Sequence, residues 1–304
     1  ILENKKVDRI FQTLLSDFSG MPYAAPFSFQ KNTTVRIGGE APLALYPESA
    51  ERICALVSAL NARGVPYLLL GRGSNVLASD AGFGGVVVHT SRATAVRTRG
   101  AVLTAECGAG VEKVLSAAKR NGLGGISFLC GIPASVGGAV FMNAGVRSGY
   151  IGERIISVDA VLGGELRTLP AKECCFSYKR TRFMEEECAI VSVKLRLERR
   201  APAAIGAEYA AAKAARGSLP KGYSMGCVFK NPKGFSAGAL LERAGMKGET
   251  CGGAAVAEEH ANFIINRGGA TSEDVSRLIK RMKDAVLSET GIVLTEEIRR
   301  IGEF

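Results

Sequence analysis

One segment limits the fold of this chain more than any other: "GLGGISFLCGIPASVGGAVFMNAG", residues 122–145, which holds seven glycines and no charged residue. Glycine has no Cβ, so its backbone adopts positive φ and approaches other groups closely, and successive N–H groups can converge on an anion. A second glycine-rich segment, "GRGSNVLASDAGFGG", covers 71–85. Two such segments exceed what tight turns require. They predict a site for a nucleotide-type cofactor, with turns inside a core as the alternative.

Hydrophobic periodicity places helices and strands around these two segments. Apolar residues recur at helical spacing over 48–64, 111–122 and 271–291. The order strand, helix, strand, glycine loop, strand predicts an α/β opening of the chain. A shift to Ala, Arg and Lys over 199–220 predicts a domain boundary. Strands are predicted over 65–70, 86–89, 101–110, 155–162, 188–198 and 292–304.

Composition excludes several classes of protein. The longest apolar runs have strand length, far below the ~20 residues that a membrane span needs. The chain opens on charges instead of a signal-peptide pattern. Eight cysteines without a CxxC pair indicate reduced thiols in a cytoplasmic protein, and two distant histidines argue against a metal site. The net charge of +10 is dispersed, which disfavours nucleic acid and suits an anionic small molecule.

The standard nucleotide fingerprints are missing. The chain contains no Gly-Lys dipeptide, so it has no Walker A loop. It contains no GxGxxG either, because "GRGSNV" and "GAGVEK" both lack the third glycine. A Rossmann dinucleotide site is therefore disfavoured, and the cofactor pocket has to be of another kind.

An ordered set of motifs indicates which kind of cofactor pocket this chain has. "NTTVRIGG" (32–39), the two glycine segments, "FSYKRTRF" (176–183) and "GCVFKNPKGFSAGALLERAG" (226–245) occur in this order. They are followed by "GGAAVAEEHANFIINRGGATSEDV" and "GIVLTEEIRRIG". The set resembles the UDP-N-acetylenolpyruvoylglucosamine reductase family over about nine-tenths of the chain. The short spacer after Arg199 resembles the subclass that lacks the longer substrate-covering insertion.

The resemblance implies an α+β protein. It would combine the vanillyl-alcohol-oxidase-type (PCMH) FAD-binding fold with a C-terminal substrate-binding α+β domain. Residues 1–88 would form the first part of the FAD-binding region, joined by the C-terminal strand 292–304. Residues 89–198 would form the second FAD-binding subdomain, and residues 199–291 the substrate-binding domain.

The resemblance also implies non-covalent FAD, with NADPH as the hydride donor. In this fold, backbone N–H groups of the two glycine segments hold the pyrophosphate. The first segment would contribute Gly71, Arg72, Gly73, Ser74 and Asn75. The second would contribute Gly131, Ile132, Pro133, Ser135, Val136, Gly137, Gly138 and Asn143.

The family reduces an enol ether, and three positions match its catalytic residues. Cys227 in "GCVFKNP" takes the place of a proton-donating serine, which is chemically sensible because a thiol is more acidic than an alcohol. Lys179 in "YKRT" takes the place of an arginine that binds the substrate carboxylate, with Arg180 as the alternative one residue on. On a strand, these two side chains would point to opposite faces. Glu297 in "LTEEIR" matches the family glutamate, and its neighbour Glu296 is expected to face solvent.

Contacts with a UDP-sugar substrate are expected from a further group of polar residues. These are Tyr178, Arg180, Asn231, Lys247 and His260. Two other functions remain open from the sequence: another flavin oxidoreductase of the same fold, and a non-catalytic nucleotide-binding relative. Oligomeric state is not indicated.

Overall fold

The structure is a computed structural model that describes residues 2–304, with side chains from residue 10 onward. The chain divides into two compact units. The first comprises Ile1–Phe27, Ala41–Gly71 and Gly85–Gly206, and the second comprises Ser28–Glu40, Arg72–Gly84 and Ala207–Phe304. The division into three parts at 88, 198 and 291 stays a prediction.

The helices are α1 (Leu2–Asp17), α2 (Phe29–Asn32), α3 (Ala50–Ala62), α4 (Val111–Arg120), α5 (Val136–Phe141), α6 (Pro202–Ala214), α7 (Ala237–Arg243) and α8 (Ser272–Thr290). The strands as far as residue 106 are β1 (Tyr23–Ala24), β2 (Phe27–Ser28), β3 (Glu40–Ala41), β4 (Leu43–Leu45), β5 (Tyr67–Leu70), β6 (Val76–Ala78), β7 (Val86–His89), β8 (Val96–Arg99) and β9 (Val102–Glu106). The later strands are β10 (Leu123–Gly124), β11 (Gly145–Val146), β12 (Gly149–Tyr150), β13 (Ile155–Leu162), β14 (Glu165–Pro170), β15 (Cys188–Arg196), β16 (Glu198–Arg199), β17 (Tyr223–Cys227), β18 (Thr250–Cys251), β19 (Ala254–Val256), β20 (Phe263–Asn266) and β21 (Arg299–Ile301).

Two sheets organise the first unit. The smaller has the order β1-β4-β7-β5, and β7 runs parallel to both β4 and β5. The larger has the order β14-β13-β15-β9-β8 and is antiparallel throughout. Helix α3 begins where the Ser49 hydroxyl accepts the Arg52 N–H, and it buries Ile53, Leu56, Val57 and Leu60 completely. The predicted helix over 48–64 is therefore confirmed, as are the main predicted strands of this unit.

The second unit is built on the antiparallel sheet β17-β20-β19-β18. Helix α8 packs its predicted apolar face into the core of this unit, where Val275, Leu278 and Met282 are fully buried. Thr271 and Asp274 form a capping box at its start, and Gly291 ends it at a φ of 70°. The predicted helix over 271–291 is confirmed.

The C-terminal segment differs from its prediction. Only Arg299–Ile301 is a strand, and it pairs in parallel with Val76–Ala78 of the same unit. Residues 294–298 instead run as an irregular segment whose main chain bonds to residues 228 and 230. The short runs of main-chain pairing explain why a continuous strand does not form.

Glu296 anchors this segment, and the expectation that it faces solvent is wrong. Its carboxylate accepts a hydrogen bond from Lys283 Nζ at 2.5 Å and another from Arg300 Nε at 3.0 Å. Only 20% of its side chain is exposed. Burial raises the pKa of Glu296, but the hydrogen bonds from Arg300 and Lys283 outweigh burial, so the pKa lies below its usual value.

We expect Glu296→Gln to lower the free energy of unfolding by about 1.5–3 kcal/mol at pH 7, because two charge-assisted hydrogen bonds are lost. The folded-state pKa is depressed, so this contribution is present above the unfolded pKa of about 4.3 and disappears as pH falls through the folded value. Urea unfolding of both proteins from pH 7 to pH 3 should show the difference shrinking.

The matched control is Glu289→Gln. Glu289 pairs with Arg243 at 3.2 Å, but about half of its side chain is exposed, so its removal should change stability by less than about 1 kcal/mol. An equal loss of stability in both variants would contradict the proposed role of Glu296. So would a loss in Glu296→Gln that does not change with pH.

Candidate active site

The proposed carboxylate-binding residues lie on a tight hairpin turn in the first unit. Ser177 and Arg180 exchange main-chain hydrogen bonds at 3.0 and 3.3 Å, so Tyr178 and Lys179 occupy the turn. Lys179 has a φ of 53°, in the left-handed region that residues other than glycine seldom adopt. Side chains 179 and 180 would point to opposite faces on a strand, but in the structure Lys179 lies on the turn and Arg180 follows it.

The environments of the two cations differ. Arg180 is exposed and forms an ion pair with Glu185 at 2.5 Å. Lys179 is half-buried at the apex of the turn. The ring of Tyr178 packs edge-on against Tyr150, with 6.2 Å between centroids. The turn therefore offers Lys179 as its more enclosed cation.

Asn143 holds this hairpin in place. Its side-chain amide donates to the Ser177 carbonyl at 2.8 Å and accepts the Gly152 N–H at 3.0 Å. Asn143 is 4% exposed. The Thr181 hydroxyl donates to the Phe141 carbonyl and adds a second link between the hairpin and the second glycine segment. Asn143 thus links the end of the second glycine segment to the turn that carries Lys179, and its expected cofactor contact stays a prediction.

The two glycine segments meet within the first unit at Gly71 and Ser135. A Cβ on Gly71 would collide with the Ser135 hydroxyl, so only glycine fits there. In the described part of the chain, the N–H groups of Gly71, Gly73 and Ser74 donate to no main-chain carbonyl. Main-chain N–H groups that are not used within the fold can donate to a diphosphate, and glycines let the ligand approach them closely. The first segment therefore fits the diphosphate of FAD.

The second segment uses most of its N–H groups internally. Those of Val136 and Gly137 donate to the carbonyls of Ala109 and Cys107 at 2.8 Å, and that of Gly138 donates to the Ser135 hydroxyl at 3.3 Å. Gly137 has a packing reason as well, because a Cβ there would lie 2.8 Å from Cys107 Cβ. Within the described residues, the N–H groups of Gly131 and Ser135 donate to no main-chain carbonyl, so this segment can present them to a ligand.

Cys227 lies at the end of β17 in the second unit and is half-buried. The ladder between β17 and β20 is irregular between Ser224 and Cys227, where Gly226 has a φ of 78°. This irregularity turns the end of the strand away from regular pairing. The thiol is therefore placed at a strand end and is not a core residue.

Burial strongly raises the pKa of three other thiols in the chain. Burial raises the pKa of Cys107 and of Cys188 to about 12, and that of Cys174 to about 11. These three thiols stay protonated at neutral pH and have packing roles. Among the described residues, no group of three His, Cys, Asp or Glu side chains could hold a metal ion.

The peptide after Cys227 brings the second predicted catalytic residue close. The Val228 N–H donates to the Asn262 carbonyl at 2.8 Å, and the Val228 carbonyl accepts the Glu297 N–H at 2.7 Å. The main chain of one residue, Val228, therefore connects the Cys227 strand end to the Glu297 segment. The Asn75 side chain donates to the Glu297 carbonyl at 3.1 Å, which brings the first glycine segment to the same place.

Three of the residues expected to contact substrate, Asn231, Lys247 and His260, lie in the second unit. The Asn231 carboxamide accepts the Ala237 N–H at 2.9 Å, which orders the loop before α7. Lys247 pairs with Glu242 at 2.5 Å. His260 Nδ1 accepts the Asn262 N–H at 3.2 Å, and burial lowers the His260 pKa, so its imidazole is neutral at pH 7.

Sequence reasoning missed one residue at this site, Asn262. It is 2% exposed, and its side chain forms two hydrogen bonds with the Phe229 main chain. The signal was available in "NFIIN", where an asparagine stands at each end of an apolar run. A polar side chain beside a buried strand has to be hydrogen-bonded, which marks both asparagines as structural ties.

Comparisons with known proteins agree with this geometry. Residues 219–301 match the family model described as UDP-N-acetylenolpyruvoylglucosamine reductase, C-terminal domain, and residues 41–169 match an FAD binding domain. The chain is 41% identical to the UDP-N-acetylenolpyruvoylglucosamine reductase of Heliobacterium modesticaldum, over 90% of this chain and 88% of the relative. It is 40% identical to that of Moorella thermoacetica, over 90% and 91%.

A solved structure agrees as well. The reductase of the same name from Thermus caldophilus superposes with a TM-score of 0.80 at 32% identity, covering 93% of this chain and 99% of that one. The predicted α+β architecture with a PCMH-type FAD-binding fold is confirmed. None of the described helices is long and apolar enough to cross a membrane. The chain belongs to the UDP-N-acetylenolpyruvoylglucosamine reductase family, which uses FAD and NADPH to reduce the enolpyruvyl group of UDP-N-acetylglucosamine enolpyruvate to UDP-N-acetylmuramate.

Proposed function

We propose that this chain carries out the family reaction with a cysteine, Cys227, as the proton donor. The observation that supports the proposal is the hydrogen bond from the Glu297 N–H to the carbonyl of Val228, the residue that directly follows Cys227. A half-buried thiol beside a carboxylate-bearing segment is suited to proton transfer, because a thiol is protonated near neutral pH and is partly shielded from water.

The chemistry explains why an acid is needed. When bound and reduced by NADPH, FAD supplies a hydride to the terminal methylene carbon of the enolpyruvyl group. Negative charge then develops at the carbon beside the carboxylate and spreads into it as an enolate. Cys227 would give its proton to that carbon, and Glu297 would stabilise the donor arrangement from the neighbouring segment.

Lys179 is proposed to bind the substrate carboxylate, where the enolate charge accumulates. Its half-buried position at the turn supports this role over Arg180, whose guanidinium is exposed and paired with Glu185. A cation that meets developing charge lowers the barrier more than one that binds only the ground state. Lysine does so as a point charge, without the bidentate geometry of arginine.

The cofactor-binding residues are proposals too. Gly71, Gly73 and Ser74 would offer N–H groups to the FAD pyrophosphate, together with Gly131 and Ser135. The further proposed FAD contacts are Arg72, Asn75, Ile132, Pro133, Val136, Gly137, Gly138 and Asn143. Tyr178, Arg180, Asn231, Lys247 and His260 are proposed to contact the UDP-sugar. A cytoplasmic location belongs to the same proposal, and eight cysteines without a disulfide support it.

The purified protein should be yellow and should release intact FAD on denaturation. Gly71→Ala should lose most of its flavin, because the added Cβ collides with Ser135. Gly84→Ala, in the same segment but with open space around the added Cβ, is the control and should keep its flavin. Absorbance at the flavin band against protein concentration measures both. A colourless wild-type protein that does not bind added FAD would contradict the proposed FAD site.

Lys179→Ala should cut turnover roughly 10²-fold while leaving flavin reduction by NADPH nearly unchanged, since its proposed partner is the enolate carboxylate. Arg180→Ala is the matched neighbour and should have a much smaller effect. Steady-state turnover and single-turnover flavin reduction distinguish the two. A larger loss in Arg180→Ala would transfer the role to Arg180.

Cys227→Ala should leave flavin reduction by NADPH intact and slow flavin reoxidation by substrate ~10²–10⁴-fold, as expected when a general acid is lost. Cys227→Ser should recover most of the activity, because a hydroxyl can occupy the same place. Stopped-flow flavin absorbance resolves the two phases. Equal reoxidation rates in wild type and Cys227→Ala would return Cys227 to a structural role. Oxidation of NADPH with and without substrate also tests the rival functions, since a non-catalytic relative would show no reaction.

A further inference from the structure

Asn262 forms three hydrogen bonds with the main chain of Val228 and Phe229, the two residues that follow Cys227. Its main-chain carbonyl accepts the Val228 N–H at 2.8 Å. Its side-chain oxygen accepts the Phe229 N–H at 2.9 Å, and its side-chain nitrogen donates to the Phe229 carbonyl at 2.9 Å. The carboxamide thus pairs with Phe229 as another peptide group would. It takes over where the regular ladder between β17 and β20 stops at Cys227 and Phe263.

The other edge of residues 228–230 is hydrogen-bonded to the segment that carries Glu297. The Val228 carbonyl accepts the Glu297 N–H at 2.7 Å, the Lys230 N–H donates to the Thr295 carbonyl at 2.9 Å, and Phe229 forms an isolated antiparallel bridge with Glu296. Residues 228–230 therefore behave as a short strand held between Asn262 and the Glu297 segment. If one side is released, the backbone beside Cys227 loses a fixed orientation.

Burial makes the Asn262 contacts costly to lose. Asn262 is 2% exposed and Phe229 is 1% exposed, so water does not replace a lost partner. Asn262 is itself held by His260, whose Nδ1 accepts the Asn262 N–H. A nitrogen that accepts a hydrogen bond carries no proton, so His260 is neutral in this arrangement. Burial lowers the pKa of His260, which also favours the neutral ring.

We propose that Asn262 is the positioning residue for the proton donor: it fixes the backbone after Cys227 so that the thiol has one orientation relative to the reacting carbon. The inference rests on the proposed function of Cys227. Proton transfer needs the donor within hydrogen-bond reach of its acceptor, and a displacement of about 1 Å can cost ~10²-fold in rate. Asn262 acts through Cys227 and does not touch the substrate in this role.

Asn266 provides a matched control in the same unit. It stands at the other end of β20, is 7% exposed, and its carboxamide also binds main-chain groups, those of Val35, Arg36, Gly268 and Ala270. Asn262→Ser should slow flavin reoxidation by substrate roughly 10–100-fold, with normal flavin content and normal flavin reduction by NADPH. Asn266→Ser should lose comparable stability in thermal melts but keep both half-reactions at similar rates.

A second variant gives a signature that a purely structural role would not produce. In Asn262→Asp, the carboxylate would face the Phe229 carbonyl and repel it, whereas the protonated acid restores both bonds. Burial raises the pKa of such a carboxyl, so the reoxidation rate of this variant should recover as pH is lowered towards 5, unlike that of the wild type. The comparison is made within one protein and stays informative if Asn262→Ser folds poorly.

The decisive measurement combines Asn262→Ser with Cys227→Ala. If Asn262 acts through the thiol, the double variant should reoxidise no more slowly than Cys227→Ala alone. Additive slowing, or slowing of both half-reactions alike by Asn262→Ser, would overturn the inference while leaving Cys227 as the donor. An unimpaired Cys227→Ala would instead remove the donor assignment, and the inference with it.

Discussion

The need to pair buried main-chain polar groups fixes the backbone beside the side chains to which we assign function. Where regular ladders stop, other groups have to take up the N–H and C=O groups, because each unpaired one costs about 1–3 kcal/mol. Asn262 does this beside Cys227, and Asn143 does it beside Lys179. Neutral amide contacts therefore position the backbone beside both of these proposed site residues.

Charge has a more local role than the net value of +10 suggests. Glu296 is the clearest case, since Lys283 and Arg300 neutralise it and so secure the segment that carries Glu297. Arg180 and Lys247 each pair with a glutamate. Cations that look equivalent in the sequence therefore have different roles: Lys283 and Arg300 hold the fold, whereas Lys179, Arg180 and Lys247 are the ones that we assign to the substrate.

The long elements of the fold could be predicted, and the short ones could not. Helix α8 matched its prediction because apolar spacing, capping residues and a terminal glycine all agreed over 271–291. The segment after it was expected to be one strand, but pairing partners exist only for Arg299–Ile301. The turn at Lys179 could not be predicted for the same reason: its conformation depends on Asn143, which lies more than thirty residues earlier.

The sequence by itself determined the family, the FAD chemistry and the positions that match the family motifs, because these depend on residue types in a fixed order. It also determined glycines such as Gly71 and Gly137, since a Cβ at either position would collide with a neighbouring residue. Only the tertiary structure decided which N–H groups remain for a ligand, that Glu296 is an anchor, and that Asn262 holds the peptide after Cys227. Those properties depend on which distant groups meet and satisfy one another, and hydrogen-bond partners far apart in the chain leave no local pattern.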